Sequence, residues 1–229
     1  MSKAVVPVSG GIDSSVILAY ARSYARSKHT QVFPITFNYG QRHIKEIDCA
    51  KKQSGEAYKE INLSFFRDIA STSSLTNNGI DVAKTKDVLG DAQTVNYVPF
   101  RNQMLLSIAC AYAESVGADT VYHGAALIDS QAGYWDGSTE FLDSINNLIA
   151  LNRKNKINIL APLITLTKRD IILKGVEHDV SFVDTWTCYE GRDKACGHCT
   201  ACSSRIKGFL DAGIKDPLQY ERNDIPWNE

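Results

Sequence analysis

The chain has 229 residues, 44% of them hydrophobic and 22% charged, and a formal net charge of −1. That length can bury one substantial core, the near-neutral balance gives no general electrostatic reason to bind nucleic acid, and no apolar run approaches the ~18 residues of a membrane helix. A strand is expected from residue 4, which leaves no room for a signal peptide, so a cytoplasmic setting is expected in which the six cysteines stay reduced and are not disulfides.

Short apolar runs alternate with stretches of helical period. Residues 4–8 read as a strand, 14–28 as a helix, 31–38 as a second strand, 43–54 as a second helix and 57–63 as a third strand. The stretch 67–95 is rich in Ser, Thr, Asn, Gly and Asp and poor in periodic apolar positions. It is assigned no regular structure and is read as a lid or flexible loop. Beyond it, 101–116 reads as a helix, 119–124 as a strand, 139–151 as a helix, 157–160 as a strand and 168–178 as a helix. This order implies right-handed crossovers and a Rossmann-like α/β domain over 1–184, a mostly parallel sheet with helices on both faces and ligands at the carboxyl ends of its strands. Residues 185–229 are read as a C-terminal helical segment carrying a four-cysteine zinc site.

Between the first strand and first helix stand Ser9, Gly10, Gly11, Ile12, Asp13, Ser14 and Ser15. A strand, a small-residue turn and a helix in succession gather backbone N–H groups and a positive helix end around one point, a geometry that holds phosphate or pyrophosphate. Gly10 and Gly11 let the backbone approach the anion, and the three serines offer hydroxyl donors; as an ordinary turn the same residues would simply cap the helix. Neither G-x-x-x-x-G-K-[ST] nor G-x-G-x-x-G occurs. The loop resembles the SGGxDS pyrophosphate loop of the N-type ATP pyrophosphatases, which cleave ATP to AMP and pyrophosphate.

Cys188, Cys196, Cys199 and Cys202 make the pattern C-x7-C-x2-C-x2-C. Four thiolates at this spacing close a tetrahedron without an open position, so a structural zinc is expected ahead of an iron–sulfur cluster or a redox pair. His198 is read as a bystander, and Cys49 and Cys110 as small core residues. Arg101 opens a helix, where its guanidinium can meet phosphate or carboxylate. Gln41, Arg42 and His43 follow the second strand at its carboxyl end, and Lys168 either caps a strand-to-helix turn or neutralises an anion.

Taken with Tyr39-Gly40-Gln41-Arg42-His43, Val98-Pro99-Phe100-Arg101-Asn102, the stretch 162–168 and Thr185-Trp186-Thr187-Cys188-Tyr189, the chain resembles the QueC family of 7-cyano-7-deazaguanine synthases, from the loop to Asp216-Pro217. The resemblance implies an adenine nucleotide alpha hydrolase-like fold and an ATP-dependent carbon–nitrogen ligase. In that chemistry 7-carboxy-7-deazaguanine is adenylated, ammonia displaces AMP to give an amide, and a second ATP activates the amide so that loss of AMP leaves the nitrile. It implies Ser9, Asp13, Arg101 and Lys168 in catalysis, Asp13 as a magnesium ligand or helix cap, and Mg²⁺ sharing the phosphate charge. It places Gln41, Arg42, His43, Tyr134, Asp136, Glu140 and Phe141 on the substrate, whose base edge the carboxylates would meet.

The chain departs from the family pattern at Phe100, where members carry glycine, and at Trp135, Gly137 and Ser138, where they carry proline, cysteine and arginine. Two alternatives stand beside the main reading. One is a QueC-like enzyme that makes an amide or joins the deazaguanine to another amine, a protein acceptor included. The other is a tRNA-modifying ATP pyrophosphatase, which needs a catalytic cysteine pair near the loop and a basic face, neither of them evident. A homodimer is expected, with no membrane and no nucleic-acid partner.

Overall fold

Five short strands, β1 (Ser2–Pro7), β2 (His29–Asn38), β3 (Lys59–Asn62), β4 (Thr120–Tyr122) and β5 (Asn158–Leu160), pair in parallel in the order β3-β2-β1-β4-β5. The computed structural model describes residues 2–25, 29–85 and 94–226. β1 lies at the centre and is apolar on both sides: Ala4 and Val6 face one core and Val5 the other. A strand covered on both faces needs this continuous apolar run, which is why it stands out in the sequence.

One face is covered by α1 (Ile12–Ala25), α7 (Lys168–Glu177) and α8 (Thr200–Ala212), through Val16, Ile17, Ile171, Ile172 and Phe209. The other is covered by α4 (Arg101–Val116) and α6 (Thr139–Ile149), through Leu106, Ala109, Ala113, Phe141 and Ile145. The α4 and α6 residues recur at three- and four-residue spacing, the stripe a surface helix needs. Helix α2 (Lys45–Ser54) packs Ala50 under the first loop. Thr167 and Asp170 form a capping box that starts α7. Among the described residues, no helix is long and apolar enough to cross a membrane.

The strands and longer helices fall where the sequence places them, with ends shifted by a few residues. Helix α1 starts at Ile12, two residues early, because Gly11 O already accepts from Ser15 N at 3.2 Å. Residues 26–28, assigned to this helix, lie outside the described residues. Two short helices, α3 (Phe66–Ile69) and α5 (Leu127–Gln131), carry too few turns to show a period.

Most of the stretch 67–95 has no regular structure, yet its described part is packed. Ser73, Ser74, Leu75, Thr76, Val82, Ala83 and Thr94 are all buried, as is Asn96 just beyond it. Most of their polar groups are met internally, Asn96 Nδ2 excepted: Ser74 Oγ donates to Asn96 Oδ1 at 2.7 Å, and Ala83 N to the same oxygen at 3.0 Å. Residues 86–93 of the proposed lid lie outside the described residues.

Candidate active site

The order of the sheet reverses at β1, so the gap beyond β1 and β4 is the switch point where such sheets bind ligands. The loop at 9–15 sits there and is preformed. Ser9 N and Ser9 Oγ each lie 3.1 Å from Ser14 Oγ, Gly11 N donates to Ser9 Oγ, and Ser15 Oγ donates to Gly11 O at 2.8 Å. The first N–H groups of α1 have no partner within the helix, which leaves donors for an anion. Gly10 also answers to a packing need. Its φ is +89°, and a Cβ there would lie 2.0 Å from Glu46 O on α2, so glycine is what lets α2 pack beneath the loop.

A cavity of about 320 Å³ runs from this loop. At its near end are Ser9, Gly11, Ile12, Asp13, Ser14 and Lys168. Lys168 Nζ donates to both carboxylate oxygens of Asp13, at 2.6 and 2.7 Å, so these two residues from α1 and α7 hold each other at the anion-binding end. Further in stands Asp129, whose Oδ2 accepts from Ala126 N at 2.9 Å. Burial pushes its carboxyl up to about 6, with Asp13 and Asp136 adding to the shift and Lys168 opposing it.

The far end is built by α4 and by the turn at Trp135–Gly137. Arg101 Nη1 donates to Tyr39 Oη at 3.3 Å and its guanidinium lies 5.7 Å from that ring's centre. Burial works against the charge of Arg101, but Tyr39, Tyr189 and Asp136 outweigh it and hold the guanidinium protonated. Burial pushes Asp136 up, while Arg101, His123 and Asn102 favour its anion. His123 Nε2 lies 3.1 Å from Asp136 O; a carbonyl only accepts, so Nε2 carries the proton, and burial pulls the ring's pKa down.

Of the residues singled out in the sequence, Ser9, Gly11, Ile12, Asp13, Ser14, His43, Arg101, Tyr134, Asp136 and Lys168 meet at the cavity. Gly10 and Ser15 support the loop from behind. The polar run at 41–43 is split three ways. Gln41 is buried, accepting from Tyr39 N and donating to Phe37 O and Glu46 Oε1. Arg42 latches the carbonyls of Asn78 and Ile80. His43 faces the cavity beside Tyr189, its Nδ1 without a hydrogen-bond partner. Glu140 is exposed in the first turn of α6, and Phe141 packs its ring against Trp135 and His123. Neither lines the cavity. Tyr97, Asn102, His123, Asp129 and Tyr189 line it and were not singled out; for His123 the signal was available, since it directly follows β4.

Asp129 gives a pH signature. Its folded pKa, about 6, lies above the unfolded value of about 3.9, so the folded state holds the proton longer. Its contribution to stability is full below about pH 4 and is lost as pH rises toward about 6. Asp129→Asn is expected to flatten that limb of the stability curve in urea unfolding across the window; an unchanged slope would show that the group does not titrate there.

The four cysteines are brought together where they could hold one metal ion. Cys188 lies on the chain entering it, Cys196 and Cys199 on the turn around Gly197, and Cys202 in the first turn of α8. All four are buried and their sulfurs lie within 4.8 Å of one another, with Cys196 and Cys202 at 3.9 Å. Backbone N–H groups of Cys196, His198, Cys199 and Cys202 point at the sulfurs at 3.3 to 3.4 Å, stabilising negative charge on them. Trp186, Thr187, Tyr189 and Ala201 flank the ligands and line the catalytic cavity, and Trp186 N donates to Gly10 O at 2.9 Å.

A parallel sheet in the order β3-β2-β1-β4-β5, with a small-residue first loop at the switch point and no P-loop lysine, places the chain among the Rossmann-like α/β folds of the adenine nucleotide alpha hydrolase type. The fold is shared with the U34-tRNA thiolase NcsA from Methanococcus maripaludis, solved with its [4Fe-4S] cluster, at a TM-score of 0.51 and 18% identity over 79% of this chain and 58% of that one. Within that class the chain belongs to the QueC family: the family described as "Queuosine biosynthesis protein QueC" matches residues 3–213. It is 41% identical to the 7-cyano-7-deazaguanine synthase of Thermoplasma volcanium over 96% of this chain and 91% of the relative. With the synthase of the same name from Picrophilus torridus the identity is 42%, covering 96% and 92%.

Proposed function

We propose that this protein is a 7-cyano-7-deazaguanine synthase, an ATP-dependent carbon–nitrogen ligase that adenylates 7-carboxy-7-deazaguanine and takes it with ammonia, through the amide, to the nitrile. The observation that carries this reading is the single cavity joining a pyrophosphate-type loop at one end to Arg101, His123 and Asp136 at the other. An acid and a nucleotide can meet within it.

Adenylation turns a poor leaving oxygen into a good one, and its main demand is on negative charge at the transferring phosphate. The loop donors and Lys168 serve the pyrophosphate. Arg101, held charged by its neighbours, serves the phosphate or carboxylate being joined. Asp136 accepts from the amino edge of the base, while Glu140, expected to share that role, faces outward. Mg²⁺ arriving with ATP would share the phosphate charge, and Asp13 and Asp129 are the carboxylates that fit it.

The metal of the four-cysteine site is proposed to be zinc. A Zn–S bond of about 2.3 Å gives a tetrahedral edge of about 3.8 Å, close to the separation of Cys196 and Cys202, whereas a four-iron cube holds its cysteines apart at its corners. A homodimer belongs to this reading as well.

The test is product analysis with 7-carboxy-7-deazaguanine, ATP and ammonium. AMP and pyrophosphate are expected alongside the nitrile, with Ser9→Ala and Asp13→Ala slowing turnover at least ~100-fold while leaving the fold intact. Substrate-dependent release of ADP and phosphate would overturn the assignment, and amide accumulating without nitrile would favour the conjugating alternative.

A further inference from the structure

We infer that Tyr97 and Tyr134 form an aromatic slot that takes the flat heterocycle of the acid substrate, an inference that rests on the deazaguanine reading above. Both rings line the cavity. Their planes are 22° apart and their centres 6.4 Å apart. Stacked faces in contact lie about 3.5 Å apart, so one flat ring between two others needs about 7 Å. The distance between the ring centres is the most the two faces can be apart, so a heterocycle enters only as the rings part by about half an ångström or more.

The slot is built, not incidental. Tyr97 Oη accepts from Trp135 Nε1 at 3.0 Å and from Phe100 N at 3.3 Å, which fixes the ring's plane from outside the cavity. Phe100 delivers that N–H from a left-handed backbone, φ 53° and ψ 16°, uncommon for a bulky residue. Its ring stands edge-on to Trp135 at 5.5 Å, and Trp135 stands edge-on to Phe141 at 5.2 Å. Phe100 and Trp135 do not line the cavity; they orient the ring that does. These two residues are among the chain's departures from the family pattern, and together they account for the position of Tyr97.

Asp136 follows Tyr134 by two residues and lines the same cavity, so a heterocycle stacked in the slot can turn its donor edge toward that carboxylate. Adenine is also flat, and the experiment must separate the two. Stacking of a base on an aromatic side chain corresponds to about 5- to 150-fold in affinity.

Titration calorimetry of the full-length protein tests this, with 7-carboxy-7-deazaguanine in the presence of a non-hydrolysable ATP analogue, and with the analogue alone. Tyr97→Ala and Tyr134→Ala are each expected to weaken the acid about 10- to 100-fold and to leave the analogue unchanged. Tyr97→Phe keeps the ring face but loses the two bonds that set its plane, so its affinity for the acid should fall between those of wild type and Tyr97→Ala; a purely structural Tyr97 would weaken the analogue as well. Metal content and thermal unfolding report on the fold of each variant. Undiminished acid binding in both alanine variants overturns the slot. A loss confined to the ATP analogue overturns its assignment to the acid and gives it to adenine. Wild-type protein that binds no acid overturns the functional reading, and the slot with it.

Discussion

Cys199→Ser is expected to release the bound metal and to lower turnover at least ~100-fold, the larger part of that loss coming from the cavity wall. Structural metal sites contribute free energy directly to folding, on the order of 10 kcal/mol or more in small zinc-binding peptides, because the ligands come together only in the folded chain. Serine isolates this contribution. Cys199 also caps α8, its sulfur accepting from Cys202 N at 3.4 Å, and a serine hydroxyl keeps that role while losing the thiolate. The damage should spread along identifiable routes. Lys84 pairs with Cys199 across a β-bridge, Thr85 N donates to His198 O, Thr85 Oγ1 donates to Ser203 Oγ at 2.7 Å, and Ala83 N donates to Asn96 Oδ1, so residues 83–85 join the cysteine turn to Asn96. On the other side, Trp186 links Cys188 to Gly10 by donating Nε1 to Cys188 O and its backbone N–H to Gly10 O. Elemental analysis and turnover of the purified variant check the expectation. Full metal retention with wild-type activity would show that Cys199 is not a ligand.

These routes also explain what the sequence revealed and what it hid. The β1 strand, the loop behind it and the cysteine pattern are local: each is a short run whose residue types suffice to specify a geometry. The helix at Arg101–Val116 was legible to the residue because a proline precedes it and a glycine ends it. Residues whose direction depends on distant packing were not. Glu140 adjoins Phe141 in sequence, but Phe141 and Ile145 define the buried stripe of α6, and a step of about 100° per residue turns Glu140 to solvent. Gln41 turns inward because the backbone at Tyr39 and Phe37 needs partners, and Arg42 turns outward to hold carbonyls some forty positions further on. Nothing in a run of Gln, Arg and His decides among those three fates. Residues 70–83 read as loose because they lack a period, yet Ser73, Ser74, Leu75, Thr76, Val82 and Ala83 are buried, where hydrogen bonds such as those to Asn96 Oδ1 meet their polar groups.

Asp216→Ala is expected to cost about 3–5 kcal/mol in urea unfolding, the largest effect on stability anticipated for a residue outside the metal site. Arg205 of α8 has no exposed surface, and its side chain is bonded all round. Nε and Nη2 donate to the two oxygens of Asp216 at 2.7 and 2.8 Å, Nη1 donates to Thr185 Oγ1 at 2.8 Å and Thr187 Oγ1 at 3.2 Å, and Nη2 donates to Phe182 O. Asp216 also accepts from Tyr220 Oη at 2.6 Å and Leu218 N at 3.0 Å; burial together with Asp216 pushes the Tyr220 phenol up and keeps it a donor. Taking two charges out of water is costly, and this pair tolerates it only because nearly every lone pair and proton is met. Removing Asp216 alone therefore leaves a buried guanidinium without its counter-charge. Replacing both partners by apolar residues, Arg205→Met with Asp216→Leu, should recover much of the loss, since the desolvation cost disappears along with the attraction. Thr185 and Thr187 bracket Trp186, which holds Gly10, so the single variant should also loosen the phosphate loop and raise the KM for ATP. An Asp216→Ala protein within about 1 kcal/mol of wild type would mean that water reaches the guanidinium, and that this end of the molecule is more open than the fully buried pair implies.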